Sequence, residues 1–182
     1  MKKLLIVLTA AAAAFAVPAA AQGTGGFQFG LTGGITVPQG DTADVLDNGY
    51  HGGLVLNYEL PALPLGIRLD GDYHHLDIKS SVGTGSDQII DGTANVVVGI
   101  RILVVKVYAL GGAGVYNLKF SGESASAGVS VSNSQTQFGW NAGVGAAFVV
   151  GKVSIFVEGR YHEISVNGGK FKFTPVSAGI LF

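Results

Sequence analysis

An all-β fold is predicted by this sequence: an eight-stranded antiparallel up-and-down transmembrane β-barrel, preceded by a cleavable signal peptide. Three observations lead to it. Apolar and polar residues alternate with a period of two along eight segments. Long and short connections alternate between those segments, as in an antiparallel meander. The apolar face is too bulky for one narrow interior, so it is expected to face lipid.

The first 21 residues have the layout of a secretory signal peptide. Lys2 and Lys3 form a positive start, residues 4–17 form an apolar core, and residues 19–21 supply a small-residue cleavage site. Such a core is shorter than the ~20 residues that a transmembrane helix needs. We therefore predict a signal peptide over residues 1–21 and one barrel domain over residues 22–182.

Composition excludes several classes of protein. The 11 basic residues include Lys2 and Lys3, so nine remain against 12 acidic residues after the signal peptide. This balance offers no basic surface for nucleic acid. The chain has no cysteine, so an exported protein of this sequence has neither disulfides nor thiolate metal sites.

The first four predicted strands lie before the middle of the chain, over residues 27–37, 49–60, 65–78 and 90–103. Along the second of them, Leu54 and Leu56 face one way and Val55 and Asn57 the other. Polar loops follow the first and third strands, whereas short turns follow the second and fourth. Short turns join only antiparallel neighbours, so the sheet is a meander.

The second half of the chain repeats this pattern, with predicted strands over residues 108–120, 138–150 and 153–166 and a last strand that ends on Phe182. Tight turns are predicted near residues 104–106 and 151–152. The longest loop is predicted at residues 121–137, because that stretch is rich in Ser and Gly. Eight antiparallel strands are expected to close, since closure leaves no sheet edge.

The last strand contains a proline that complicates its alternation. Val176 and Ile180 share one parity with Phe182, whereas Phe173 has the opposite one. If every large apolar residue faces lipid, the phase must slip near Pro175. We therefore predict a β-bulge or strand irregularity there.

Alternation alone is compatible with a soluble barrel that has an apolar interior, or with a membrane barrel that has the faces inverted. The polar face of this chain is built mainly from Gly, Ala, Ser, Thr and Asn, which fit a narrow lumen. A water-facing surface would carry Lys and Glu at many positions. The apolar face is therefore predicted to be the outer one.

Aromatic residues are expected to form two belts at the membrane interfaces. Ring side chains fall near both ends of the predicted strands, where such belts lie. The belt at the long loops is assigned Tyr50, Tyr73, Tyr116, Phe138, Trp140 and Tyr161, and the belt at the short turns is assigned Phe27, Tyr58, Tyr108, Phe148 and Phe182.

Charged residues on the lumen-facing parity are predicted to form a structural network. Its predicted members are Glu59, Arg68, Asp70, Asp72, Arg101, Glu158 and Arg160, with His51, His74 and His162 nearby. Both signs are present, and buried charges must be paired. Paired charges filling a solid barrel are the favoured interpretation, and an ion-conducting path is the alternative.

The motifs that could indicate catalysis or ligand binding are weak. His162 and Ser165 are three residues apart, so they point to opposite faces of a strand and cannot act together. Adjacent His74 and His75 diverge for the same reason. The glycines of residues 110–115 lack a nucleotide-loop spacing. The acidic residues of the first loop, at 41, 44 and 47, are expected to be solvated. No catalytic residue, cofactor or metal site is predicted.

The sequence resembles the small outer-membrane β-barrel superfamily, which includes OmpX/Ail-like proteins and the membrane domain of OmpA. The resemblance rests on the segments YALGGAGVYNL, VEGRYHEIS and VSAGILF and covers the whole chain after the signal peptide. It implies that Ile180 and Phe182 belong to the signal read by the barrel-assembly machinery. It also implies contact with outer-membrane lipid and lipopolysaccharide. No peptidoglycan-binding domain is seen, so a cell-wall tether is not expected.

These observations predict a monomeric protein of the bacterial outer membrane, with both termini in the periplasm and the long loops outside. The expected function is non-enzymatic: membrane integrity, adhesion or surface interaction through the loops. A small channel or transporter for small solutes is the alternative, and a lipid-modifying enzyme is a third.

Overall fold

The computed structural model describes residues 26–61, 63–81, 84–124, 129–166 and 168–182. The predicted signal peptide lies outside them. The elements in chain order are β1 (Gly26–Pro38), α1 (Asp41–Val45), β2 (Gly49–Glu59), β3 (Leu65–Asp77), β4 (Thr84–Ile102), β5 (Val105–Ser124), β6 (Val129–Val150), β7 (Val153–Val166) and β8 (Gly169–Leu181). Among the described residues, no helix is long and apolar enough to cross a bilayer.

The eight strands form one closed antiparallel barrel, as predicted. Each strand pairs with its successor in the chain, and β8 returns to pair with β1 through Gly30↔Leu181 to Pro38↔Phe173. The connections after β1, β3, β5 and β7 lie at one end, called here the loop end. The connections after β2, β4 and β6 lie at the other, called the turn end, together with Gly26 and Phe182.

No bulge forms near Pro175, but the strand irregularity predicted there as the alternative is present. The β7–β8 pairing is interrupted between Gly159↔Val176 and His162↔Phe173, and it resumes in the same register. Phe173 therefore points into the barrel, where it is fully buried. The apparent slip arose because Phe173 was assumed to face lipid. Proline has no N–H, so it weakens the ladder locally without shifting its register.

Strands β4, β5 and β6 are longer than predicted at the loop end. Strand β4 begins at Thr84, β5 continues to Ser124 and β6 begins at Val129. Most of the stretch predicted as the longest loop is thus a hairpin. Its Ser- and Gly-rich composition lacks the apolar alternation by which the other strands were identified.

Two tyrosines of β5 face the lumen rather than the membrane. Tyr116 is fully buried and Tyr108 is partly buried, so the assignments of both residues to interface belts are wrong. Strand β6 makes room for them with glycine. A β-carbon at Gly145 would lie 2.5 Å from the Tyr108 ring, and one at Gly139 would lie 2.8 Å from the Tyr116 ring.

The lumen is filled in three layers. A loop-end apolar layer is formed by Leu46, Leu76, Ile89, Tyr116, Ile164 and Phe173. A turn-end apolar layer is formed by Val55, Ala147, Val149, Phe156 and Leu181. Between them lies a polar layer of buried charged and hydrogen-bonding side chains. The outer surface is apolar along every strand, with exposed residues such as Leu31, Ile67, Val96, Val144 and Ile155.

Candidate functional site

The centre of the polar layer is a ring of four charged residues from opposite sides of the barrel. Arg68 and Asp70 lie on β3, and Glu158 and Arg160 lie on β7, four strands away. Arg68 contacts Asp70 at 2.7 Å and Glu158 at 2.9 Å. Arg160 contacts Glu158 at 2.5 Å and Asp70 at 3.3 Å. All four side chains are at most 5% exposed, so each charge is neutralised by two partners inside the barrel.

Neutral groups complete this ring. The Tyr108 hydroxyl donates to Glu158 Oε2 at 2.9 Å, and the Asn95 amide donates to Asp70 Oδ2 at 2.9 Å. The Arg68 guanidinium lies 5.0 Å above the centre of the Phe156 ring. These contacts give the charged groups further hydrogen-bond and cation–π partners, as a buried network requires. The ring therefore links β3 to β7 across the centre of the barrel.

The other residues predicted for the lumen network lie apart from this ring. Glu59 pairs with Lys106 at 2.6 Å nearer the turn end. Arg101 does not join the network, because it is exposed beside the β4–β5 turn and its Nε donates to the Leu103 carbonyl at 3.0 Å. Asp72 faces the lumen, but its Oδ1 has no hydrogen-bond partner among the described residues.

A second chain of contacts runs around the wall, with one residue from each of five neighbouring strands. His51 Nε2 lies 2.8 Å from Ser177 Oγ, and His51 Nδ1 lies 3.1 Å from Thr36 Oγ1. Thr36 Oγ1 also lies 2.8 Å from His74 Nδ1, and His74 Nε2 lies 3.1 Å from Asp91 Oδ2. The order is Ser177, His51, Thr36, His74, Asp91, and it crosses the β8–β1 seam.

The single hydroxyl proton of Thr36 couples the two histidines. When the Asp91 carboxylate accepts from His74 Nε2–H, neutral His74 presents Nδ1 as an acceptor, so Thr36 must donate to it. Thr36 then accepts from His51 Nδ1–H, which leaves His51 Nε2 to accept from Ser177. The ionised state of Asp91 thereby selects both tautomers.

Two small cavities lie in the lumen of the described part of the barrel. Near the turn end, Gln28, Asn57, Lys106 and Tyr108 line a cavity that leaves about 30 Å³ for the centre of a water molecule. A second cavity beside Asp72 leaves about 10 Å³. Such spaces hold one or two waters. The loop-end apolar layer lies above both.

The described residues contain no arrangement typical of a catalytic or metal site. His162 is buried in the lumen, where its Nδ1 is hydrogen-bonded to the Tyr116 hydroxyl at 2.9 Å. Ser165, in contrast, is exposed on the outer face. His74 faces the lumen and His75 the outside. No group of three or more His, Cys, Asp or Glu among the described residues is placed to hold a metal ion.

The remaining aromatics predicted for the belts face outward. Tyr58 packs against Phe27 near the turn end, with ring centres 4.6 Å apart, and Tyr50 packs against the His75 ring near the loop end. Trp140 and Tyr161 lie together near the loop end, with ring centres 5.5 Å apart.

Both members of the Trp140–Tyr161 pair direct their polar tips toward one carboxylate. Trp140 Nε1 donates to Glu163 at 3.4 Å, and the Tyr161 hydroxyl donates to it at 3.3 Å. Lys170 donates to the same carboxylate at 2.6 Å. An apolar body with a polar tip suits a membrane–water boundary.

The first connection closes the loop end. It carries α1, and its Leu46 is buried in the loop-end apolar layer and forms a bridge to Ile78. The Lys79 ammonium donates to the Ala43 carbonyl at 2.5 Å, which joins the β1–β2 connection to the β3–β4 connection. Sequence reasoning missed this role, because Leu46 is one apolar residue in a polar loop.

The loop end also carries a sheet that projects beyond the rest of the barrel. Strand β5 pairs with β6 from Ser124↔Val129 onward, but β7 pairs with β6 only from Gly139 to Val150. Residues 129–138 of β6 thus have a neighbour on one side only, among the described residues. Asn117 of β5 holds this hairpin together, because it donates to Thr136 at 3.0 Å and accepts from Ser134 at 3.1 Å.

Comparison with known families gives one match. The profile of the outer membrane protein beta-barrel domain matches residues 7–182. A comparison with curated protein sequences finds no match.

Several solved structures share the fold at low sequence identity. Neisserial surface protein A superposes with a TM-score of 0.62 at 18% identity, over 85% of this chain and 95% of that one. A major outer membrane protein from Thermus thermophilus gives 0.60 at 15% identity, over 86% and 98%. Ail, the attachment invasion locus protein of Yersinia pestis, gives 0.56 at 21% identity, over 86% and 99%. At these identities the similarity establishes the fold alone.

Proposed function

Because this chain belongs to the outer membrane protein β-barrel family, we propose that it is a non-enzymatic surface protein that binds an extracellular partner through its projecting sheet. In this proposal the loop end faces the outside of the cell and the turn end, with both chain termini, faces the periplasm. The barrel acts as a rigid membrane anchor, and β4, β5 and β6 present the binding surface.

The observation that carries this proposal is the open edge of β6. Residues 129–138 of a strand span about 33 Å, and alternate N–H and C=O groups along that edge have no neighbouring strand within the described part of the chain. An exposed edge is a template for pairing with another chain. Soluble proteins usually protect such edges. Here no described strand covers the edge, and the pairing of β6 with β5 and the hydrogen bonds of Asn117 hold it in position.

The partner that fits this edge is an extended polypeptide segment of another protein, which would add to the sheet as one more strand. Main-chain hydrogen bonds would supply the affinity, and the side chains of Gln135 and Gln137 on the β6 surface would supply modest selectivity. A polyanion is a poorer fit, because acidic residues outnumber basic ones in the loop-end connections and strand tips.

The lumen favours this function over that of a channel. The charged ring is fully paired, the two cavities hold one or two waters each, and Leu46 and Phe173 close the loop end. Conduction requires a continuous wet path. A lipid-modifying enzyme is disfavoured by the opposite orientations of His162 and Ser165.

A register-preserving truncation tests the proposal. Lys119 pairs with Ser134, so replacing residues 120–133 by Asn-Gly closes the hairpin with a two-residue turn and removes half of the open edge. Ser124 pairs with Val129, so replacing residues 125–128 alone by Asn-Gly is the matched control that keeps the whole edge. Heat-modifiable gel migration of the membrane fraction checks that both variants fold.

Adherence of cells that display each variant is then measured on an immobilised extracellular-matrix preparation and on albumin. The unaltered chain and the control variant are expected to adhere to the matrix, and the truncated variant is expected to lose adherence. Equal adherence of both variants would show that the edge is not the binding surface. Absence of adherence by the unaltered chain would remove matrix adhesion as the function.

A further inference from the structure

The turn between β4 and β5 has an unusual backbone for its sequence. It consists of two residues, Leu103 and Val104, and Leu103 has a φ of 56°. Among the described residues, it is the one non-glycine residue in this left-handed region. The equivalent turn between β6 and β7 uses Gly151, with a φ of 61°. Side chains make this conformation unfavourable, which is why glycine or asparagine normally occupies it.

No packing contact within the described chain offsets this cost. The Leu103 side chain is 87% exposed, so it packs against neither apolar layer of the lumen. Its neighbour Ile102 is 66% exposed. A strained residue whose side chain is left outside the core points to a role outside the chain.

The apolar surface of the turn continues the lipid-facing surface of β4. Val96, Val98, Ile100 and Ile102 follow one another along the outer face of that strand, and each is exposed. Leu103 extends this row to the tip of the hairpin. Along β4, the outer face is thus apolar from the middle of the membrane-facing surface to the turn.

Two cations flank the tip, and neither forms an ion pair with a described acidic residue. Arg101 is exposed and directs its Nε at the Leu103 carbonyl, and Lys152 is exposed in the neighbouring turn. The acidic residue at this end, Glu59, is already occupied by Lys106 at 2.6 Å. The turn end therefore presents an apolar tip with positive charge beside it, which is the combination that anionic lipid surfaces attract.

We propose that the Leu103 turn is a membrane-inserted tip, with Ile102 and Leu103 in the lipid of the leaflet at the turn end and Arg101 at its anionic phosphates. The turn then sets the depth of the barrel on that side of the membrane. Leucine is favoured over asparagine or glycine at this position because lipid contact offsets the left-handed backbone.

The absence of cysteine makes the test direct, because single cysteines can be introduced and spin-labelled without background. Leu103→Cys probes the tip, and Lys152→Cys in the glycine-containing turn is the matched control. Both are reconstituted in vesicles of phosphatidylethanolamine and phosphatidylglycerol, with folding checked by heat-modifiable migration. Collision with oxygen reports lipid contact, and collision with a water-soluble nickel chelate reports solvent contact.

The label at residue 103 is expected to collide several-fold more with oxygen than with the nickel chelate, and the label at residue 152 to show the reverse. Equal access of the nickel chelate to both labels would overturn the proposal.

The charge component is tested separately by adding Arg101→Gln to the labelled Leu103→Cys chain. The label is expected to become shallower, and the same shift is expected when phosphatidylglycerol is replaced by a zwitterionic lipid. A label depth that responds to neither change would overturn the assignment of Arg101 to lipid phosphate.

Discussion

Tyr108 on β5 lies directly opposite Gly145 on β6, and its ring covers the space that a side chain at residue 145 would need. Phe156 on β7 has the same relationship to Gly179 on β8. In both pairs an aromatic ring packs over a glycine of the neighbouring strand, inside the lumen. The lumen glycines are thus sites that admit rings, and the rings supply the bulk of the turn-end apolar layer.

Gly145→Ala should therefore destabilise the barrel. The added methyl group would collide with the Tyr108 ring, and overpacking of this kind costs about 1–3 kcal/mol. Gly159→Ala is the control, because a β-carbon there meets nothing within 4 Å. Unfolding by urea from lipid vesicles, followed by the fluorescence of Trp140, measures both. Equal unfolding free energies for the two variants would show that Tyr108 can move aside.

Thr36→Val should lower the free energy of unfolding, because it interrupts the hydrogen-bond chain between His51 on β2 and His74 on β3. Valine keeps the shape of threonine but removes the hydroxyl that bonds His51 and His74. Leaving buried partners unsatisfied costs about 1–3 kcal/mol for each group. Thr32→Val on the same strand is the control, since its hydroxyl makes only a 3.5 Å contact. The same urea titration compares them, and a Thr36 variant as stable as the Thr32 variant would contradict the coupling described above.

Removing one member of the charged ring should be more damaging than breaking an exposed ion pair. Arg160→Met leaves Asp70 and Glu158 with one guanidinium between them in the lumen, and loss of one partner from a buried pair costs about 3–5 kcal/mol. Lys170→Met breaks the exposed contact with Glu163 and should leave the unfolding free energy nearly unchanged. Similar losses for both variants would mean that the lumen is well hydrated.

Planar-bilayer recordings should show no reproducible conductance steps for the unaltered chain. The loop-end apolar layer blocks the lumen at Leu46 and Phe173, and the ion pairs below it are closed on themselves. Phe173→Ala is expected to remain silent as well, because Leu46, Tyr116 and Ile164 still close that level. Discrete steps from the unaltered chain, at constant amplitude across preparations, would refute the sealed lumen and revive the channel hypothesis.

The fold was predictable because the period-two pattern is strong wherever one face meets lipid. Strand β7 illustrates this, since exposed and buried residues alternate along it. Ile155 and Val157 lie on its outer face, and Glu158 and Arg160 lie on its lumen face. That the lumen charges would be paired was predictable from the requirement that buried charges be neutralised, and the pairing of Arg68 with Asp70 and Glu158 is an instance of it. The register could not be read from one strand at a time, so the partners of each charge came only from the structure.

The errors at Tyr108 and Phe173 share one physical origin: the assumption that every large apolar or aromatic side chain faces lipid. In the lumen, Tyr108 packs over Gly145 and donates to Glu158, whereas Phe173 stacks on the ring of His162. The projecting hairpin was missed for the converse reason, since residues 129–138 need no apolar face outside the membrane. Leu46 was missed because the plug it belongs to is assembled from several strands and one loop.

The chain of hydrogen bonds from Ser177 to Asp91 also bears on how the barrel can fold. Every strand pairing except that of β1 with β8 joins neighbours along the chain, so hairpins can accumulate one after another at low loop-closure entropy. His51 bonds Thr36 of β1 and Ser177 of β8 at once, and this arrangement exists only after the two ends of the chain have met. The chain of hydrogen bonds therefore stabilises the closed state without stabilising any open sheet. It widens the free-energy gap between them, and closure becomes the cooperative step.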